Sequence, residues 1–246
     1  MNSSAPSLTT CPVLHQDRWL IIVNKPAGVL SHPNAAGKPQ RAAFEGSYDA
    51  GRKCFQTPAG AVWLVHRLDQ DTSGVLVGAL DAGTARHCRE AFEDGRVRKE
   101  YAALVAGSPP AQGTWRDSLV VKHERGRVRT ETNRLGRPNA ELHFRVLKRD
   151  RQQRLALLEI DLVTGRTHQI RVQAASRSCP VIGDDVYGDF EMNRRLKKTS
   201  GVKRLCLHSC AIEIPHPATG KVLRVTAPLP PEMAGWKWPD DEAGSP

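Results

Sequence analysis

The chain has 246 residues, 39% of them hydrophobic and 25% charged, which suits one large soluble domain or two small ones. No apolar run approaches the ~20 residues of a membrane span, and the first residues lack a basic stretch followed by an apolar one, so membrane-spanning and secreted classes are not expected. The net charge of +10 points to a polyanionic partner, nucleic acid foremost, with plain solubility as the bland alternative.

Residues 1 to 11 are small and polar, and disorder is expected there. Trp19 to Val23 reads as a short buried strand, closed by the turn Asn24-Lys25-Pro26-Ala27-Gly28. Residues 31 to 60 mix Gly, Pro, Ala and basic residues without periodicity, so a long loop or insert is expected. Trp63 to Val65 reads as a strand running into VHRLDQDTSG (65–74), and Val75 to Ala79 as a strand leaving it. Asp81 sits where a helix N-cap belongs. Ala85, Cys88 and Phe92 follow at helical spacing, and Gly95 marks the helix end.

Glu100 to Gly107 is strand-like. Arg125, Arg127 and Arg129 alternate, so in a strand they form a row of cations about 6.5–7 Å apart. That row suits a solvated edge or a phosphate backbone equally. Glu141 to Val146 and Leu155 to Val163 read as strands, the second with one apolar face. Thr164-Gly165 turns the chain, and a helix is expected over Arg166 to Ser176. A basic run follows at Arg194, Arg195, Lys197, Lys198, Lys203 and Arg204. Leu205 to Ile214 and Val222 to Thr226 are strand-like around a turn at 215–220, and a proline-rich, acidic tail ends the chain.

The order is strand-rich and does not alternate with helices. An α+β fold is expected: a mixed, largely antiparallel central sheet flanked by helices and loops. One domain is expected over 12–232, with a tail over 233–246. No G-x-G-x-x-G and no Walker loop occurs, so no nucleotide cofactor is indicated. None of the six cysteines forms C-x-x-C, and Cys206-Leu207-His208-Ser209-Cys210 matches no common zinc knuckle. No metal is expected, and packed, reduced thiols suit the cytoplasm.

Two patches carry candidate chemistry. Asp71, Thr72, Ser73 and Gly74 have the composition of a turn. Asp69 differs, because it ends an apparent strand directly after His66, Arg67 and Leu68, where a rigid scaffold can hold a reagent. The second patch, TGRTHQIRVQ at 164–173, gathers Arg166, His168, Gln169 and Arg171. It is either a solvated basic helix, or a site where one arginine pairs with a carboxylate and the others hold phosphates.

Four stretches give the chain a specific resemblance: VNKPAGVLSHP (23–33), VHRLDQDTSGVLV (65–77), RKEYAALVAG (98–107), and TGRTHQIRV (164–172) followed by PVIGDDVYGD (180–189). From about Trp19 to Pro228 the sequence resembles the RluA-type family of RNA pseudouridine synthases. The resemblance implies an isomerase that converts uridine to pseudouridine within RNA, with no cofactor. It puts the essential aspartate at Asp69 rather than Asp71, its aromatic partner at Tyr101 and its basic partner at Arg171. Arg171 is then expected to hold Asp69 ionised. Ile182 is expected to wall the uracil pocket, and Arg67 to take the place of the extruded base. His66, Arg166, His168 and Gln169 complete the expected substrate contacts.

Two positions depart from the family pattern: Cys179-Pro180 stands where His-Pro is frequent, and Gln173 where histidine often follows. Neither is an expected catalytic position. Only about 18 residues precede the first strand, so the S4 RNA-binding module of many relatives is expected to be missing. Target choice is then expected from the 31–60 insert, the 125–129 row and the 194–204 run. Ribosomal large-subunit RNA and tRNA are both candidate substrates for a monomeric enzyme without a membrane partner. The rival class is a non-catalytic RNA-binding or ribosome-assembly protein on the same fold.

Overall fold

A computed structural model describes residues 7–33, 41–124, 127–236 and 238, with the side chains of 124 and 127 left aside. In chain order the strands are β1 (Val13–Gln16), β2 (Leu20–Lys25), β3 (Ser47–Asp49), β4 (Cys54–Thr57), β5 (Gly60–Leu64) and β6 (Ser73–Ala79), followed by helix α1 (Ala82–Glu93). Next come β7 (Arg98–Ala106), β8 (Gln112–Asp117), β9 (Leu119–Glu124), β10 (Arg127–Thr132), β11 (Ala140–Asp150) and β12 (Leu155–Asp161). Helices α2 (Gln169–Ala175) and α3 (Phe190–Thr199), strands β13 (Leu207–Pro215) and β14 (Val222–Thr226), and helix α4 (Pro231–Ala234) complete the order. Strand pairing is largely antiparallel with a few helices, the expected α+β arrangement. The chain forms two compact units: Met1–Arg98 with Ser209–Pro228, and Lys99–His208 with Leu229–Pro246.

In the first unit β2 pairs with β6 from Leu20↔Ala79 to Lys25↔Gly74. All seven residues of β6 are buried, which is why both strands read as continuous apolar runs and not as alternating ones. Alternate side chains still divide between the two faces. Leu20, Ile22, Val75, Val77 and Ala79 pack with Ala85, Cys88 and Ala91 of α1 and with Ile212 and Ile214 of β13. The helix begins as expected: Asp81 accepts the Thr84 N–H at 2.8 Å and the Thr84 hydroxyl at 2.6 Å. Gly95 follows its end at φ +70°.

The 31–60 segment is not wholly a loop. Residues 34–40 lie outside the described residues, and β3, β4 and β5 then form an antiparallel meander. The sequence hid these strands because they are short and mostly exposed; across β3 and β4 only Cys54 and Phe55 are buried.

In the second unit β7, β12, β11 and β8 lie side by side, all antiparallel. β12 is again nearly all apolar and sits between β7 and β11. A separate hairpin, β9–β10, carries Arg129; Arg125 and the Arg127 side chain fall outside the described residues. Helix α2 starts three residues later than the expected Arg166. The cause is the Gln169 amide, whose oxygen accepts the Thr164 hydroxyl at 2.8 Å and the Arg166 N–H at 3.0 Å, holding 164–168 as a turn. His168 is left-handed there, at φ +56°. Helix α3, capped by Asp189, was legible only as a run of charge, because Leu196 is its one buried residue.

Candidate active site

Asp69 lies between β5 and β6, half-buried. The backbone on both sides of it is tied down. On one side the Leu68 N–H donates to the Ser31 hydroxyl oxygen at 3.0 Å, and that hydroxyl donates to the Leu68 carbonyl at 2.9 Å. On the other, Gln70 offers its carbonyl to the Gly28 N–H at 3.0 Å and to the Lys25 ammonium at 2.9 Å. Lys25 is fully buried, and its Nζ also donates to the carbonyls of Val29 at 2.7 Å and Pro26 at 3.1 Å. An ammonium is tolerated in an interior when acceptors meet its donors. Here those acceptors belong to the 24–30 turn and to the residue after Asp69, so the lysine staples one loop to the other.

The rest of the motif is structural, but of residues 71–74 only Asp71 lies in a turn; Ser73 and Gly74, read as turn residues, open β6. The Thr72 N–H donates to the Asp69 carbonyl at 3.2 Å, and Thr72 and Ser73 are buried. Gly74 has φ +112°, and a Cβ at that position would run into the backbone of Ser209. His66 also serves the scaffold: its Nε2 accepts the Val77 N–H at 3.0 Å, and its ring stacks on Phe92 at 4.9 Å. An accepting Nε2 puts the imidazole proton on Nδ1. Arg67 is exposed, and Asp71 is half-buried in the turn.

The second unit holds the other expected residues. Tyr101 is buried on β7 opposite Ile160 of β12. Arg171 is buried on α2, and its guanidinium grips Asp184 through two parallel bonds, Nε–Oδ2 at 2.7 Å and Nη2–Oδ1 at 2.9 Å. Asp184 Oδ1 also accepts the N–H groups of Val186 at 2.9 Å and Tyr187 at 3.0 Å. Burial pushes the Asp184 carboxyl up, but the bonds and charge of Arg171 and the two backbone N–H groups outweigh it and hold the pKa below the ordinary carboxylate value. Within this unit, the carboxylate whose ionisation Arg171 secures is Asp184.

Tyr187 joins these parts. Arg171 stands 5.3 Å and Arg129 5.7 Å from its ring centroid. Its hydroxyl oxygen accepts the Thr130 N–H at 2.7 Å and lies 2.9 Å from His168 Nδ1. The Thr130 hydroxyl donates to the Thr167 carbonyl at 2.9 Å, so the β9–β10 hairpin is fastened to the loop before α2. Gln169 is buried, its amide nitrogen donating to the Glu141 carbonyl at 3.0 Å, so both ends of the amide are engaged in holding the fold. Arg166 is exposed and uses Nε on the Asn139 carbonyl at 3.0 Å. Ile182 is buried, its N–H on the Leu104 carbonyl at 2.8 Å.

Lys25, Ser31, Asp184 and Tyr187 were missed as site-supporting residues. All four lie inside or beside the motif stretches, but a lysine among apolar residues or an aspartate in a GDD run carries no local sign of its partner. The partner is set by tertiary packing.

Three comparisons agree with this picture. The family described as RNA pseudouridylate synthase matches residues 19–176. Ribosomal large subunit pseudouridine synthase D of Xanthomonas campestris pv. campestris is 34% identical over 94% of this chain and 69% of its own length. Ribosomal large subunit pseudouridine synthase C of Escherichia coli K12 is 33% identical over 88% of this chain and 66% of its own. The chain thus spans about two thirds of the length of these curated relatives. Among solved structures, Human RNA Pseudouridylate Synthase Domain Containing 4 matches with TM-score 0.63 and 25% identity, over 89% of this chain and 88% of that one. Human RNA Pseudouridylate Synthase Domain Containing 1 shares the fold with TM-score 0.68 at 20% identity, over 98% and 96%. The chain belongs to the RNA pseudouridylate synthase family, enzymes that isomerise uridine to pseudouridine within RNA.

Proposed function

We propose that the protein isomerises uridine in ribosomal large-subunit RNA, with Asp69 as the catalytic carboxylate. The names of the relatives favour large-subunit RNA over tRNA. The observation that carries the assignment of Asp69 is its anchorage: Ser31 fixes the residue before it and the buried Lys25 the residue after it. A reacting group held on so constrained a backbone is positioned before substrate arrives.

The reaction breaks the N1–C1′ bond, turns the uracil in place and joins C5 to C1′. The C5 proton leaves and N1 gains one, so the product is an isomer and no cofactor or metal is consumed. An ionised Asp69 serves either opening of the reaction, attack on C1′ or removal of the C2′ proton. Tyr101 supplies a ring for the uracil face and a phenol for proton traffic, and Arg171 supports the anionic centre. Ile182 offers an apolar wall. The target uridine must leave its helix to be reached, and Arg67 fills the space it vacates. His66, His168 and Gln169 act by shaping the loops, and Arg166 contacts phosphate. The catalytic region is taken as 12–232 of a cytoplasmic monomer.

Tritium release from RNA labelled at uracil C5 tests this reading. Release is expected from large-subunit ribosomal RNA transcripts and not from tRNA. Release from tRNA alone overturns the substrate assignment, and no release from any RNA leaves an RNA-binding protein without this chemistry.

A further inference from the structure

Within the first unit a cleft of about 550 Å³ opens beside Arg67, two residues before Asp69. Its volume lies in the range of small-ligand sites. Its wall is unusual in composition. Two stacked aromatic pairs face it: His32 on Tyr48, with centroids 5.3 Å apart and planes at 14°, and His66 on Phe92, at 4.9 Å and 24°. Leu64 and Val65, both buried, add apolar surface. Among the described residues, charge on the lining is one-sided, with Lys53, Arg67 and Arg89 against Glu93.

The cations are arranged to meet a ligand. Arg89 uses Nε and Nη2 on the Leu64 carbonyl, at 3.1 and 2.7 Å. This fixes the guanidinium and, among the described residues, engages two of its five N–H donors. Lys53 and Arg67 are exposed. Flat aromatic faces beside positive charge are the means by which proteins hold an unpaired nucleotide, the base stacked and the phosphate neutralised.

We propose that this cleft is a nucleotide subsite. It takes one unpaired nucleotide of the RNA strand that carries the target uridine, with its base on the His32–Tyr48 face and its phosphate between Lys53 and Arg89. The inference rests on RNA being the substrate. It assigns to His32, Tyr48 and Lys53, in the segment first read as a long loop or loosely structured insert, a part in choosing which uridine is presented to Asp69. A base that is paired cannot enter, so the subsite selects targets next to an unpaired residue.

The test uses the full chain and two probes, a single-stranded hexaribonucleotide and the same backbone without bases, with affinity read by fluorescence anisotropy at fixed salt. His32→Ala and Tyr48→Ala are expected to weaken binding of the hexamer about 5- to 100-fold, and to leave the abasic probe unchanged. Lys53→Glu is expected to weaken both. Tyr48→Trp keeps a stacking face and is expected to bind both probes as wild type does, whereas loss of base-dependent binding in Tyr48→Trp would assign the effect of Tyr48→Ala to folding, leaving His32→Ala to decide. If His32→Ala, and Tyr48→Ala where it folds, leave both affinities as in wild type, the subsite is wrong. Tritium release by the wild type is scored separately. Release with no effect of the cleft variants overturns the subsite alone, whereas a base-dependent loss without release upholds the subsite and overturns the enzyme assignment.

Discussion

The guanidinium of Arg171 and the carboxylate of Asp184 lie edge to edge, bonded at 2.7 and 2.9 Å, with 5% and 0% of their side chains exposed. A pair sealed this way does not report stability by its presence, because two desolvated charges are costly even when matched. Breaking it is another matter. Asp184→Asn removes the charge that a buried guanidinium grips through two bonds and is expected to destabilise the protein by about 3–5 kcal/mol in urea unfolding. The double variant Arg171→Met with Asp184→Asn, which keeps an acceptor for the Val186 and Tyr187 N–H groups, is expected to recover part of that stability and none of the turnover. Recovery of turnover would remove Arg171 from the chemistry.

The same pair fixes a pH dependence. The Asp184 carboxyl titrates below its ordinary value in the folded protein. A depressed folded-state pKa gives stability that is fully present above the unfolded value of about 3.9 and is lost as pH falls through the folded value. Melting temperatures of wild type and Asp184→Asn, measured from pH 7 down to pH 3, are therefore expected to converge at the acid end. A constant gap across that range would assign the loss to packing instead of charge.

Asp69→Asn keeps shape and removes charge. RNA affinity is expected to stay within about threefold of wild type while turnover disappears, since the loss falls on the transition state. Filter binding and C5-tritium release on one preparation separate the two. Equal loss of both would make Asp69 architectural.

Gly74 is predicted to be intolerant. Its φ of +112° and the Ser209 backbone in the path of any Cβ act together. Gly74→Ala is expected to cost at least ~2 kcal/mol in chemical denaturation. Gly28→Ala, also at positive φ but with open space at its Cβ, is expected to cost less.

RNA affinity is expected to fall steeply with salt, because each phosphate contact releases a counterion. Helix α3 and the residues after it carry Arg194, Arg195, Lys197, Lys198 and Lys203, all exposed. Changing Lys197 and Lys198 to Gln is expected to reduce the slope of log K against log salt by about one per contact removed. An unchanged slope would assign this face to solubility.

Sequence reading served best where the cause of structure is local. The apolar runs of β2 and β6, the Asp81 cap and the glycine after α1 are signals carried by neighbouring residues, and each is found, though β2 runs on through Asn24 and Lys25 and β6 begins at Ser73, all read as turn residues. The segment over 31–60 was misread because its strands are short and half-exposed, so no period of two stands out. The start of α2 was misread because a glutamine side chain, bonded to the Thr164 hydroxyl and the Arg166 N–H, holds 164–168 as a turn.

By itself the sequence determined the family, the reaction class and the residues expected to carry it, since those are written in short motifs whose order and spacing are specific. Only the tertiary structure decided that Lys25 and Ser31 brace Asp69, that Arg171 faces Asp184, and that His32, Tyr48, His66 and Phe92 wall one cleft. Partners tens of residues apart leave no trace in local pattern. A buried charge or an open ring acquires its meaning from whatever the fold brings beside it.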